Sequence, residues 1–349
     1  MPDPHAEPDG TEPTQDAESP RPDRRRLVEH PLLYVLLVGL FAAVQFSGCL
    51  PVLRQTDAGL GTAESWTVED LWSARQEVHL GAAAIILVPL LVGSALLLGY
   101  IILRACNVRV FPRCRFPVPD WDAWHLGRVV VVYVMALRLA LGLAGWAQGA
   151  LGDRVSSTVL AVVTQNAVSI AASAFILVLA GGRGRDPFGR LGLREGRVAA
   201  RAGTGVLAAV MAQPLLLVAT VVTMIYGPMF GVEVQPQPLL FSARHVSVWG
   251  FAVLCASAVV VAPLTEEILF RGFLYGTLRR SFGPLGAICA AAAIFSVLHG
   301  HAAAFLQLFV IGFVLAYLYE RTGSLVAPVA AHAFNNLHTM LVVLVLFRS

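Results

Sequence analysis

The chain has 349 residues, 57% of them hydrophobic and 13% charged, against roughly 45–50% and about 25% in an average soluble domain, so a water-soluble globule does not fit. All 25 basic residues are arginine, which excludes lysine Schiff-base chemistry and P-loop nucleotide chemistry. The net charge of +3 is small and the arginines are dispersed, which argues against a nucleic-acid partner and for a bilayer that the arginines orient the chain in.

Residues 1–29 are rich in Pro, Asp, Glu and Arg and hold eight of the 22 acidic residues. They have too little apolar surface to offset the entropy of ordering, and read as a disordered cytoplasmic tail. The stretch 31–53 follows Arg24, Arg25 and Arg26 and is long enough to span as an uncleaved signal-anchor. Further apolar stretches run at 80–103, 127–151, 157–181, 203–228, 246–280, 284–300, 301–319 and 325–347. The predicted fold is therefore all-α, a polytopic transmembrane helical bundle of about 8–9 spans. Residues 30–244 form an N-terminal membrane region of about five spans, and 245–349 a C-terminal four-helix region.

Arginines mark the tail, the loops 104–115 and 183–201, and the turns at Arg279, Arg280 and Arg321. The positive-inside rule assigns these to the cytoplasm, with 54–78 and 229–245 outside, the N-terminus inside and the C-terminus outside. The all-arginine usage points to a GC-rich genome and so to a prokaryotic plasma membrane. No repeat and no matching pair of broken helices suggests a transporter.

Several polar residues are assigned to packing. His30, His79, His125 and His245 flank apolar runs as interfacial residues, and Trp121 and Trp124, with Pro117 and Pro119, read as a membrane-interface anchor. Gln165 and Asn166 are expected to hydrogen-bond between helices, with Asn335 either capping or doing the same. His301 reads as a turn residue at the outer face and His338 as facing away from any site. Cys49, Cys106, Cys114, Cys255 and Cys289 form no C-x-x-C pair and are expected to be buried thiols rather than disulfides or metal ligands.

A charge at mid-membrane costs about 2.5–3.5 kcal/mol on insertion scales, so polar groups inside apolar helices are functional candidates. Beyond residue 244 the acidic residues are Glu266, Glu267 and Glu320. Glu267 and Arg271 are four apart on one helix face and can neutralise each other, while Glu266, turned by about 100°, is left for another partner. A second polar island is Phe295-Ser296-Val297-Leu298-His299, and a third His332-Ala333-Phe334-Asn335-Asn336, with His332 and Asn336 on one face. Counting from the cytoplasmic ends of their helices, Glu266 lies roughly 20 Å deep, His299 roughly 21 Å, His332 roughly 10 Å and Asn336 roughly 17 Å. These depths let the three islands converge.

Together these segments resemble the CAAX protease and bacteriocin-processing family, the type II prenyl-protease-like intramembrane endopeptidases. Its motifs E-E-x-x-x-R, F-x-x-x-H and H-x-x-x-N stand here in order as Glu266-Glu267 with Arg271, Phe295 with His299, and His332 with Asn336, over about 245–345. The resemblance implies that the C-terminal region is a catalytic core. In it Glu266, helped by His299, activates water for attack on a peptide carbonyl, and His332 and Asn336 stabilise the oxyanion. Glu267, Arg271 and Phe295 are then supporting residues. A metal-free mechanism is the first expectation; a zinc ion held by Glu266, His299 and His332 is the alternative, although the zincin H-E-x-x-H is absent.

The implied partners are the lipid bilayer and a peptide or protein substrate, membrane-associated or lipidated, approached from a cavity open to cytoplasmic water. Serine- and aspartyl-type intramembrane proteases lack their signatures here. Two other readings stay open: a non-proteolytic membrane scaffold or immunity protein of the same fold, and a transporter using Glu266 and the histidines as a proton relay.

Overall fold

The computed structural model describes residues 80–108, 121–152, 156–194, 197–232 and 246–347, which form helices and turns with no strand among them. The tail, the stretch 31–53, His30, His79, His245, Cys49, Cys114, Pro117 and Pro119 lie outside the described residues. Helices α1 (Leu80–Ala105), α2 (Ala123–Leu151), α3 (Ser157–Ala180), the single turn α4 (Pro187–Arg190) and α5 (Val198–Tyr226) come first. After them run α6 (Val248–Ala256), α7 (Ala262–Glu267), α8 (Gly276–Leu298), α9 (Phe305–Thr322) and α10 (Val326–Phe347). Two π-helical segments, Ser257–Val261 and Ile268–Tyr275, join α6 to α7 and α7 to α8.

Among the described residues seven stretches are long and apolar enough to cross a membrane. The fifth, Val248–Leu298, has 51 residues, far more than the roughly 20 that a crossing needs. It doubles back at Gly283, where φ is 67° and Pro284 follows. Only glycine takes that φ without strain, and proline starts the next helix because its missing N–H is no loss there. The reversal brings the rings of Phe270 and Phe295 to 5.0 Å; an unbroken helix would hold them roughly 37 Å apart. The separate stretches 246–280 and 284–300 are thus the two arms of this hairpin.

Lipid tails are as apolar as the side chains, so helices associate through close packing at small residues. Gly205 on α5 lies so near the carbonyl of Ala327 on α10 that a methyl group there would overlap it, and Gly93 on α1 meets the carbonyl of Val210 on α5 in the same way. Gly312 on α9 packs on the backbone of Ala292 on α8. The turn between α9 and α10 is held to the loop after α4, where Ser324 Oγ and the Leu325 N–H both donate to Gly192 O, at 2.8 and 3.2 Å. This fixes where α10 begins. At the same end of α9, Glu320 accepts from Arg279 Nε and Nη2, each at 2.8 Å, and from Tyr275 OH at 2.7 Å.

The interhelical roles expected for two polar residues appear: Gln165 Nε2 donates to Tyr133 OH at 3.2 Å, and Asn166 Nδ2 donates to Ser257 Oγ. His338 hydrogen-bonds Ile85 O of α1 at 3.0 Å, and His125 closes a capping box with Asp122 at the start of α2. Two expectations need correction. Trp124 is exposed, as an anchor should be, but Trp121 is buried, its ring edge-on to Phe273 at 5.1 Å. The loop ahead of α2 folds inward there because Arg280 takes Trp121 O as its acceptor. Cys106 is exposed and Cys255 and Cys289 are only half-buried, none of them in a disulfide; a thiol is small and apolar enough to sit at such positions without full burial in protein.

Gly205→Ala should lower the melting temperature of the detergent-solubilised protein, with an overpacking cost of about 1–3 kcal/mol. Gly203→Ala, a neighbouring position with open space around it, should leave it unchanged or raise it by the helix-propensity gain of about 0.5–1 kcal/mol. Equal melting curves for the two variants would show that α5 and α10 do not touch at Gly205.

Candidate active site

The site begins with a break in helical bonding. In the π-helical segment the Ala262 N–H donates to Ser257 O, five residues back. The next position is Pro263, which has no N–H to donate, so Ala258 O receives neither an α- nor a π-type bond. Asn336 Nδ2, on α10, donates to it at 2.8 Å. The orphaned carbonyl thereby ties α10 to the turn that carries the glutamates. A second tie comes from α3, where buried Ser173 donates to Thr265 O at 3.1 Å.

The two adjacent glutamates then meet different surroundings. Glu267 is fully buried, and its Oε1 accepts both from Arg271 Nη1 at 2.7 Å and from His332 Nδ1 at 2.9 Å. Arg271 spends Nη2 on Gly312 O of α9 at 3.1 Å, and its guanidinium lies over the Phe295 ring at 4.7 Å. Glu267 Oε1 accepts from the Arg271 guanidinium and is an acceptor toward His332 as well, so Nδ1 is the donor in that bond. That leaves Nε2 turned to the other glutamate, with Glu266 Oε2 3.9 Å away. The Glu266 side chain is 24% exposed, against 0% for Glu267, and its buried Oε2 has no hydrogen-bond partner.

Phe295 is the hub of the cluster. Its ring contacts Arg271, packs edge-on to Phe270, lies 6.0 Å from the His332 ring and 4.4 Å from that of His299. His299 ends α8 on the exposed side of this ring, with Nδ1 hydrogen-bonded to Phe295 O at 2.7 Å. Glu266, Glu267, Arg271, Phe295 and His332 are therefore brought together. His299 is joined to them through Phe295 rather than by a hydrogen bond to Glu266, and Asn336 through the backbone of residue 258.

The depth count needs correction for His332, which meets both glutamates rather than lying some 10 Å short of Glu266. A π-helix winds more residues into each turn, and Ile268–Tyr275 has that form, so counting back from Arg279 at α-helical rise overstates the depth of Glu266. Gly312 and Ala258 act only through backbone carbonyls, and no side-chain pattern could have marked them. The one local hint was Pro263, whose missing N–H predicts an unpaired carbonyl upstream.

The same geometry tests the zinc alternative. Among the described residues no three His, Cys, Asp or Glu side chains are gathered closely enough to hold one ion. His332 Nδ1 is bonded to Glu267 and His299 Nδ1 to Phe295 O, which leaves only Nε2 of each ring for a metal; it is the spacing of Glu266, His299 and His332 among the described residues that does not fit one ion.

Residues 248–338 match the family model described as type II CAAX prenyl endopeptidase, Rce1-like. The chain is 32% identical over 77 residues to the "Putative membrane peptidase YdiL" of Bacillus subtilis, covering 22% of this chain and 32% of that protein. It is also 32% identical over 114 residues to the "Uncharacterized protein YyaK" of the same organism, covering 29% of this chain and 38% of that protein. The chain thus spans about a third of the length of these curated relatives. No solved structure matches it. The family match over residues 248–338 takes in Glu266, His299, His332 and Asn336, within an all-α integral membrane protein.

Proposed function

We propose that the protein is an intramembrane endopeptidase in which Glu266 activates the attacking water. The observation that carries this reading is the unequal treatment of the paired carboxylates. Glu267 is fully buried and its Oε1 is committed to Arg271 and His332, while Glu266 accepts no such pair of bonds and keeps a 24% share of accessible surface through which water can reach it. A carboxylate oxygen that accepts no hydrogen bond from the protein is placed to accept one from a water, the first contact a general base needs.

In the proposed reaction Glu266 takes a proton from water as its oxygen bonds the peptide carbonyl carbon. The carbonyl oxygen becomes an oxyanion, and Glu266 returns the proton to the nitrogen as the C–N bond breaks. His332 enters the reaction as an imidazolium with Glu267 as its counter-ion, donates from Nε2 toward the developing charge, and keeps that proton throughout. Asn336 carries two amide donors; one is used on Ala258 O and the second serves the oxyanion. His299, on the exposed rim, assists Glu266 in holding the water. Glu267, Arg271 and Phe295 position this set.

The proposed substrate is a membrane-associated or lipid-bearing peptide or protein. That choice is supported by the match of residues 248–338 to the type II CAAX prenyl endopeptidase model. The arginine-bearing ends of α1, α5 and α9 are assigned to the cytoplasm of a prokaryotic plasma membrane, with the N-terminus on that side, by the positive-inside rule.

The test compares membrane-proteome termini between cells carrying the wild-type chain and cells carrying Glu266→Gln at equal abundance. Termini that vanish with the variant, by about a hundredfold or more, support proteolysis. Unchanged termini, with the variant still complementing a deletion strain, would replace it with the scaffold reading. Proton-coupled uptake in proteoliposomes, abolished by Glu266→Gln, would favour the transporter.

Glu267→Gln should behave differently from Glu266→Gln. It leaves Arg271 buried without its counter-charge, a loss of about 3–5 kcal/mol, read as lower abundance and an earlier melting transition. Asn336→Ala should also destabilise, by about 1–3 kcal/mol for the orphaned Ala258 carbonyl. An unshifted melting curve in that variant would remove the structural half of its role.

A further inference from the structure

A second cleft, of about 540 Å³, lies between α1, α5 and the end of α9 and shares no residue with the Glu266 site. Its size is that of a small-molecule pocket. Leu96, Leu207 and Met211 form part of an apolar wall, and Arg197, Arg201 and Arg321 line its polar end, with no carboxylate among the lining residues. Glu320, the acid next to Arg321, is engaged by Arg279 and Tyr275 instead. Arg321 itself is held in position by a bond to Tyr317 OH at 3.1 Å, and that hydroxyl also meets Tyr100 OH at 3.2 Å.

Two features give this end its sign and shape. The first turn of α5, which borders the cleft at Ala200 and Arg201, has no acidic residue and no side-chain cap on its N-terminus. Its unsatisfied N–H groups therefore add positive potential to that of the arginines. Away from the arginines α1 and α5 touch backbone to backbone where Gly93 meets Val210, which closes the space between the two helices at that level. Leu103 and Leu207, both in the wall, are also exposed on the outer surface of the bundle, so the cleft is continuous with the face that meets lipid tails.

We infer that this cleft binds an anionic phospholipid, its phosphodiester among Arg197, Arg201 and Arg321 and its acyl chains along Leu96, Leu103, Leu207 and Met211. Basic pockets between membrane helices recognise headgroups by this chemistry. A free phosphate would use the arginines alone, whereas the apolar wall, open to the bilayer, fits only an amphiphile. Such a lipid would seal α1 to α5 beyond their single close crossing.

The experiment is native mass spectrometry of the purified full chain titrated with dioleoylphosphatidylglycerol or dioleoylphosphatidylcholine, with inorganic phosphate as competitor. Wild-type protein should retain the anionic lipid over the zwitterionic one by about tenfold. The double variant Arg197→Gln/Arg201→Gln should lose that preference, and Thr204→Trp, which fills the cleft and leaves the arginines in place, should lose it too. Circular dichroism and melting curves verify that each variant is folded. An undiminished preference in the double variant, or equal retention of both lipids by wild-type protein, would overturn the assignment. Displacement of the lipid by millimolar phosphate, with Thr204→Trp without effect, would overturn it in favour of a free-phosphate site.

Discussion

The organisation of the C-terminal half depends on one buried ion pair. Glu267 and Arg271 have almost no exposed surface and lie 2.7 Å apart within an apolar bundle. Neither charge is tolerable there alone. Their mutual contact and the two further groups they recruit, His332 from α10 and Gly312 O from α9, make the pair a junction of three helices rather than a private contact along one. Because ionic hydrogen bonds are directional and apolar contacts are not, this junction sets the register among helices whose outer surfaces are otherwise interchangeable hydrocarbon.

The junction also separates two chemically identical neighbours. Adjacent residues on a helix point about 100° apart, so when Glu267 turns inward to Arg271, Glu266 is turned toward the partly open side. His332 then touches both, Nδ1 on Glu267 and Nε2 toward Glu266. The inner carboxylate fixes the imidazole's orientation and proton position, and the outer one meets its remaining nitrogen. This division follows the usual logic of paired acids, in which environment rather than residue type assigns the roles.

A defect in backbone bonding supports the same arrangement. Pro263 prevents Ala258 O from finding a partner in its own helix, and the chain answers with a π-helical turn and the Asn336 amide. Such turns cluster at functional sites because they re-aim side chains at small cost. The arginine-lined cleft lies elsewhere, between α1 and α5. There the helices are held by glycine-to-backbone contact at one level, and room is left at another.

Much of this was legible along the chain. Apolar length marked eight of the stretches now seen as helices, Arg279 and Arg280 marked the turn between 246–280 and 284–300, and the i, i+4 spacing marked Glu267 with Arg271 and His332 with Asn336. These features are local: helical period, turn preference and the cost of polar groups in lipid act within a few residues, so sequence order alone determines them. The three motifs carried the resemblance for the same reason, and the family match falls on the stretch that holds them. Only the tertiary structure decided that His332 engages Glu267, that Asn336 holds a backbone carbonyl, that Trp121 turns inward, and that Arg321 joins the two arginines at the start of α5 in one cleft. Those outcomes depend on how far one helix slides and rotates against another. That is set by π-turn winding and by glycine contacts with distant backbone, neither of which leaves a periodic trace in the residues that come to meet.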